Sequence, residues 1–268
     1  ELGGNARLGH GPLFVAEACE AYDALLDTRP RVAVITNIEA DHLDHHGTLD
    51  HIVESFRQFA RRIVPGGTLV YSAEDEHAVS VARGHDGRCV SFGVQSGDWR
   101  APAPTYTGTS SAFGVLRGGL HVADAHLPLP GEHYVLDALA ALAAAAEVGV
   151  TPELSARALS TFEPVGRRFE KLGEREGVSV YDDYAHHPTE VRMTLEAARH
   201  AFGAKLVAVF QPHLYSRTRD HLKEFIAAFD AADEVYIAPI FGSREAPIPG
   251  VDAGQIVDGI RARTPAKP

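Results

Sequence analysis

The sequence predicts an α/β chain: a parallel sheet with helices on its faces, followed by a second, Rossmann-like α/β unit. Three features carry the prediction. Apolar, β-branched runs alternate with helix-periodic stretches, several of these runs end in polar residues, and the pattern restarts after Glu163-Pro164. Such alternation is what a doubly wound sheet produces. The change of unit is therefore set near 162/163, giving regions 1–162 and 163–268.

The elements follow in order. Phe14 to Glu17 and Arg31 to Asn37 read as buried parallel strands, each closing on polar groups. Leu49, Ile52, Val53, Phe56, Phe59 and Ile63 recur at helical spacing, with Gly66 and Gly67 beyond, and predict an amphipathic helix. Thr68 to Ser72 and Arg88 to Phe92 read as strands with a helix between them. Residues 99–128, rich in Gly, Ser, Thr and Pro, read as a small antiparallel patch leaning on the main sheet.

After Pro130-Gly131 an Ala-rich stretch to Val148 has high helix propensity. Thr151-Pro152 opens a shorter helix, with Thr as N-cap and Pro in the first turn. From Val178 the order is strand, helix (Val191, Leu195, Ala198, Phe202), strand, helix (Leu222, Phe225, Ile226, Phe229) and strand, without a dinucleotide fingerprint.

Composition narrows the function. Across 268 residues, 25 Lys and Arg face 36 Asp and Glu, a formal charge of −11 that argues against nucleic acid or anionic lipid held by bulk charge. No run approaches a membrane span, so no membrane insertion is expected. Cys19 and Cys89 form neither a disulfide framework nor a metal spacing, which points to a reducing compartment, the cytoplasm. The chain begins at Glu1 rather than Met, as a fragment or a processed product would.

In open parallel sheets, ligands sit beyond the carboxyl ends of strands. Glu17, the Thr36–Asp44 segment, Asp182–Pro188 and Gln211–Arg219 all occupy such positions. If the first two strands are neighbours, Glu17 and His42 converge on one divalent ion, and Mg²⁺ needs only one or two protein ligands when phosphate oxygens complete its shell. His42 would otherwise cap a loop, and Asp41 and Asp44 read most simply as helix caps. Arg167 and Arg168 suit a phosphate clamp, or else a solvated pair. Arg217 and Arg219 open a helix, where surplus positive charge makes sense if an anion sits at that terminus. Gly3 to Gly9 lacks the lysine and hydroxyl of a phosphate loop, so this chain alone does not grip a triphosphate.

The segments F-V-A-E-A-C-E, T-N-I-E-A-D-H-L-D-H-H-G, G-R-R-F-E, D-D-Y-A-H-H-P-T-E-V, F-Q-P-H-L-Y-S-R-T-R and E-A-P-I-P-G-V, in this order, resemble the Mur ligases from about Gly3 to Val251. The D-D-Y-A-H-H-P and Q-P-H-x-x-S-R-T-R blocks are nearest the member that adds the first amino acid. Phe56 points the same way, standing where later-acting members have a carbamylated lysine. The resemblance implies a central ATPase domain over 1–162 and a C-terminal domain over 163–268, both partial. A UDP-sugar domain, the phosphate loop and the last elements would lie outside this chain.

It further implies ATP-dependent joining of L-alanine to the muramoyl carboxylate of UDP-N-acetylmuramate through an acyl phosphate, in peptidoglycan synthesis. By the same resemblance Glu17 and His42 are magnesium positions. Asn37, His133, Arg168 and Asp183 contact the nucleotide, and His186 and Arg217, with Arg168, serve the reacting groups. The family's adenine segment H-N-x-x-N reads His133-Tyr134-Val135-Leu136-Asp137 here, so both asparagines are replaced, and Leu214 stands where many members have arginine.

Two rivals stand beside this reading. A phosphoesterase of the D-H-H kind would use Asp44-His45-His46 and Asp182-Asp183 as metal ligands. Against it, adjacent helix positions do not face one site. A non-catalytic sugar-nucleotide module would fit the missing phosphate loop.

Overall fold

The computed structural model describes residues 9–264; the stretch Gly3 to Leu8 discussed above lies outside them. The first half runs β1 (Val32–Ile35), α1 (Leu43–His46), α2 (Leu49–Arg61), β2 (Thr68–Ser72), α3 (Glu76–Arg83), β3 (Arg88–Gly93), β4 (Trp99–Arg100), β5 (Thr105–Thr107), β6 (Ser110–Arg117), β7 (Leu120–Leu127), α4 (Glu132–Glu147) and α5 (Pro152–Leu159). The second runs β8 (Glu170–Arg175), β9 (Val178–Asp182), α6 (Pro188–Phe202), β10 (Val207–Phe210), α7 (Tyr215–Asp220), α8 (Leu222–Ala228), β11 (Glu234–Ile237) and α9 (Gly254–Arg263). Two compact units emerge. One is built from residues up to 103, 113–125 and 136–166, the other from 104–112, 126–135 and residues from 167 on.

The main sheet has the order β1-β2-β3-β4-β6-β5, with β7 on β6. The first four strands are parallel, with Ile35 opposite Tyr71 and Tyr71 opposite Ser91. β6 turns antiparallel to β4 and β5, so the patch expected over 99–128 is a direct extension of the sheet. Gly118 and Gly119, both at positive φ, make the two-residue connection between β6 and β7. Trp99 is buried at β4, with the Arg117 guanidinium 5.1 Å from its ring centre.

α2 buries Ile52, Val53 and Phe59 against Ala33, Ile35 and Leu69. Each such side chain contributes about 1.5–3 kcal/mol on burial. Gly66 takes φ +78 in the turn into β2, and at Gly67 a Cβ would lie 2.4 Å from the Arg31 carbonyl oxygen, so the helix-to-strand turn needs both glycines. α4 ends on Glu147, whose carboxylate accepts both Arg88 Nε at 2.8 Å and Nη2 at 3.0 Å, and the Thr68 hydroxyl at 2.8 Å. The Arg88 hydrogen bonds hold this carboxylate below the ordinary glutamate range. Thr151 caps α5 through Leu154 N–H, as the sequence predicts.

One predicted strand is absent. Phe14 and Val15 are almost fully exposed and residues 13–20 have no regular structure. An apolar run becomes a strand only by pairing. Here the chain enters a 3-10 turn, Ala21–Asp27, anchored by Leu25 N–H on the Cys19 carbonyl.

In the second unit β10 and β11 pair in parallel. Phe225, Phe229, Ile256 and Ile260, from and around α8 and α9, pack with Val191 of α6 against Ala208 and Phe210. β9 does not join that pair. It forms an antiparallel hairpin with β8, closed by Glu176 and Gly177, both at positive φ. A two-residue turn of this kind favours local pairing, and Glu176-Gly177 was its sequence signal.

Candidate functional site

In the first unit, the chain leaving β1 passes Asn37, exposed and accepting the Thr36 hydroxyl at 3.2 Å, and reaches His42. His42 is left-handed (φ 50°), and its N–H donates to Asp41 Oδ1 at 2.7 Å, which aims the ring back toward the 3-10 turn. Its Nε2 lies 3.5 Å from Glu20 Oε1 and 3.8 Å from Asp41 Oδ2. Glu17 sits on exposed irregular chain three residues before Glu20, and the carboxylate at His42 is that of Glu20. The sequence signal for Glu20 was the second glutamate of F-V-A-E-A-C-E. The His42 imidazole with the Glu20 carboxylate 3.5 Å away is a pair that suits a hard divalent cation whose remaining ligands are water and phosphate.

His45 and His46 do converge, contrary to the sequence argument, but on Asp23 of the 3-10 turn. α1 is a single turn, and the two rings reach Asp23 through different nitrogens, His45 by Nε2 and His46 by Nδ1. Asp182 and Asp183 are committed elsewhere.

In the second unit, the Asp183 carboxylate follows β9 and accepts two backbone N–H groups, from Phe169 to Oδ2 and from Ala185 to Oδ1, each at 2.8 Å. Burial raises its pKa, while these bonds and the Arg168 charge oppose the rise. Each oxygen retains acceptor capacity for a hydroxyl. Arg168 is exposed, 5.7 Å from the Tyr184 ring centre, and Arg167 stacks closer, at 4.8 Å, while its Nε donates to Asp182 Oδ2 at 3.0 Å. His133, in the first turn of α4, packs against Tyr134 with the rings tilted by 42° and their centres 4.1 Å apart. Burial lowers its pKa to about 4, so it is a neutral aromatic surface at pH 7.

Beyond β9 and β10 stand three more groups. His187 caps α6 and exchanges hydrogen bonds with Glu190, and this fixes its neighbour His186. His186 Nδ1 lies 3.0 Å from the Tyr184 carbonyl and 3.3 Å from Glu190 Oε2. Its ring centre is 6.5 Å from that of His213, whose Nδ1 accepts from Arg217 Nη1 at 3.4 Å. Arg217 is 6% exposed. Burial first, then the charges of Arg217, His186 and Arg244, lower the pKa of His213. The anion expected at the start of α7 is intramolecular: Glu245 accepts the Ser216 N–H at 3.0 Å and the Ser216 hydroxyl. Arg219 pairs with Asp220. His213, Arg244 and Glu245 had no sequence assignment, although His213 and Glu245 lie inside the quoted motifs.

Comparison with known proteins places these sites in context. The Mur ligase middle domain profile matches residues 12–145, and the profile described as Mur ligase, glutamate ligase domain matches 167–267. The chain is 40% identical over 264 residues to UDP-N-acetylmuramate–L-alanine ligase of Caldanaerobacter subterraneus subsp. tengcongensis, and 44% identical over 273 residues to that of Mycolicibacterium vanbaalenii. Each alignment covers 98% of this chain and 57% of the relative, so the chain spans a little over half the length of the curated relatives it matches. Among solved structures, UDP-N-acetylmuramate-alanine ligase MurC of Thermotoga maritima superposes with a TM-score of 0.72 at 28% identity, over 91% of this chain and 52% of that one. MurF of Acinetobacter baumannii shares the fold, with a TM-score of 0.75 at 22% identity, over 90% of this chain and 52% of that one. Among the described residues no helix is long and apolar enough to cross a membrane.

Proposed function

The chain belongs to the Mur ligase family, and from that footing we propose that it forms the middle (1–162) and C-terminal (163–268) parts of an enzyme that joins L-alanine to the muramoyl carboxylate of UDP-N-acetylmuramate at the expense of ATP. On this reading it works in the cytoplasm in peptidoglycan synthesis.

The observation that carries the reading is the buried Arg217 beside His213 and His186, on the same unit as the Asp183 cradle. A buried guanidinium flanked by imidazoles attracts a carboxylate, the group both acid substrates bring. The relatives' names carry two such acids, N-acetylmuramate and L-alanine.

Roles follow from chemistry. Asp183 accepts the ribose hydroxyls of ATP, Arg168 and its neighbour Arg167 hold phosphate oxygens, and the neutral face of His133 packs on adenine; Asn37 is a nucleotide contact by resemblance. Arg217 and His186 hold and orient the carboxylates. His42 with Glu20, and Glu17 by resemblance, would hold Mg²⁺, which when bound offsets phosphate charge. In the reaction itself the muramoyl carboxylate oxygen attacks the γ-phosphorus and ADP departs. The alanine amine then displaces phosphate, losing a proton as the amide forms. Both steps gather negative charge, so fixed cations and donors matter more than a side-chain nucleophile.

The test uses the full-length natural protein. Phosphate release should require ATP, UDP-N-acetylmuramate and L-alanine together, and yield the alanyl product. Equal release without L-alanine would mark a hydrolase and overturn the reading.

A further inference from the structure

We propose that Asp23, His45 and His46 form a separate metal site, selective for a borderline divalent transition ion such as Zn²⁺ over Mg²⁺. Their ligand atoms all lie within 4.8 Å of one another. His45 Nε2 is 3.1 Å from Asp23 Oδ2, and His46 Nδ1 is 3.9 Å from Asp23 Oδ1. Around a tetrahedral ion with bonds of about 2.1 Å, neighbouring ligand atoms stand about 3.4 Å apart, a spacing between the 3.1 Å to one Asp23 oxygen and the 3.9 Å to the other.

The orientation of His46 strengthens the case. Its Nε2 lies 3.2 Å from the Glu20 carbonyl oxygen, and a carbonyl only accepts, so Nε2 carries the proton and donates. In the neutral ring Nδ1 then offers a lone pair 3.9 Å from Asp23 Oδ1. An imidazole with its far N–H bonded to a backbone carbonyl is how metal-bound histidines are held. Asp23 is fixed too, because its Oδ1 accepts the Ser55 hydroxyl at 2.5 Å from the buried face of α2.

The side chain of His46 is 4% exposed, whereas those of His45 and Asp23 are 34% and 39% exposed, so the trio has a closed floor and an open side for a water ligand. Two imidazoles and one carboxylate suit Zn²⁺ and its neighbours, whereas Mg²⁺ prefers oxygen ligands. The ligand set shares no residue with the His42–Glu20 pair. An ion here would tie the 3-10 turn to α1, whose N-cap is His42, and so hold that pair in place.

The experiment titrates the full-length natural protein, stripped by chelation, with Co²⁺ in millimolar Mg²⁺. One Co²⁺ per chain with visible d–d absorption, displaced by Zn²⁺ and not by Mg²⁺, is expected. Asp23→Asn, His45→Gln and His46→Gln should each weaken binding by about 10- to 100-fold or more. His121→Gln, which removes an exposed histidine 2.9 Å from Asp124, should leave it unchanged. In the unmodified protein, Zn²⁺ should shift the ring signals of two histidines, so the proposal stays testable even if a variant fails to fold. Absence of Co²⁺ absorption, binding that survives His45→Gln/His46→Gln, or displacement by Mg²⁺ would overturn it.

Discussion

The carboxylate of Glu245 closes the N-terminus of α7 by accepting both the backbone N–H and the hydroxyl of Ser216. A helix start needs an acceptor, and the chain supplies one from a segment 29 residues downstream. Arg217 lies in the same turn, buried against His213, so Glu245 stabilises the helix that carries the proposed carboxylate-binding cation. Glu245→Ala is expected to cost about 0.5–2 kcal/mol, the range of a lost cap, read as a lower denaturant midpoint at unchanged m-value. Glu245→Gln, which keeps one acceptor, should cost less.

Arg217→Lys should fail as a replacement. A lysine ammonium lacks the planar fork that meets a carboxylate with two parallel bonds. Loss of a charge-assisted hydrogen bond of about 1.5–3 kcal/mol corresponds to about 10- to 150-fold in kcat/KM for the full-length protein. Unchanged steady-state kinetics would remove Arg217 from the site.

Asp183→Asn leaves one oxygen where two backbone N–H groups, of Phe169 and Ala185, now find two. One donor must go unsatisfied or the side chain must turn, and ribose acceptance suffers either way. Calorimetry with ADP and the full-length protein should show binding weaker by about tenfold or more, with far-UV dichroism unchanged.

His133 sets a pH dependence with a definite sign. Its pKa falls from 6.5 to about 4 because burial disfavours the charged ring. Above pH 6.5 both folded and unfolded rings are neutral and its full contribution is present. As pH falls, the unfolded chain takes up the proton first, so stability declines between pH 6.5 and about 4 and levels off below. Denaturation across that range should show the slope in the unmodified protein and a smaller one in His133→Gln.

Gly67→Ala should destabilise the first unit. Its new Cβ would lie 2.4 Å from the Arg31 carbonyl oxygen and 2.9 Å from that of Val64. Backbone moves less readily than a side-chain tip, so overpacking of about 1–3 kcal/mol is expected in chemical denaturation.

The sequence by itself determined the alternation of strands and helices, because buried faces impose periods that can be counted. α2, α5, α6 and the parallel strands β1, β2, β3, β10 and β11 all answer to that count. It also marked Asp183, His186 and Arg217 as residues beyond strand ends, since the polar residue after an apolar run is visible in one dimension. Only the tertiary structure decided which groups meet. Phe14 to Glu17 is apolar enough for a strand but joins no ladder among the described residues, and a ladder partner is not a local property. β9 pairs with β8 across a two-residue turn. Glu20 rather than Glu17 at His42, Glu245 at Ser216, and two adjacent histidines on one aspartate all depend on backbone direction at left-handed or single-turn segments. Side-chain spacing along a chain cannot encode such a direction, which is settled by long-range packing.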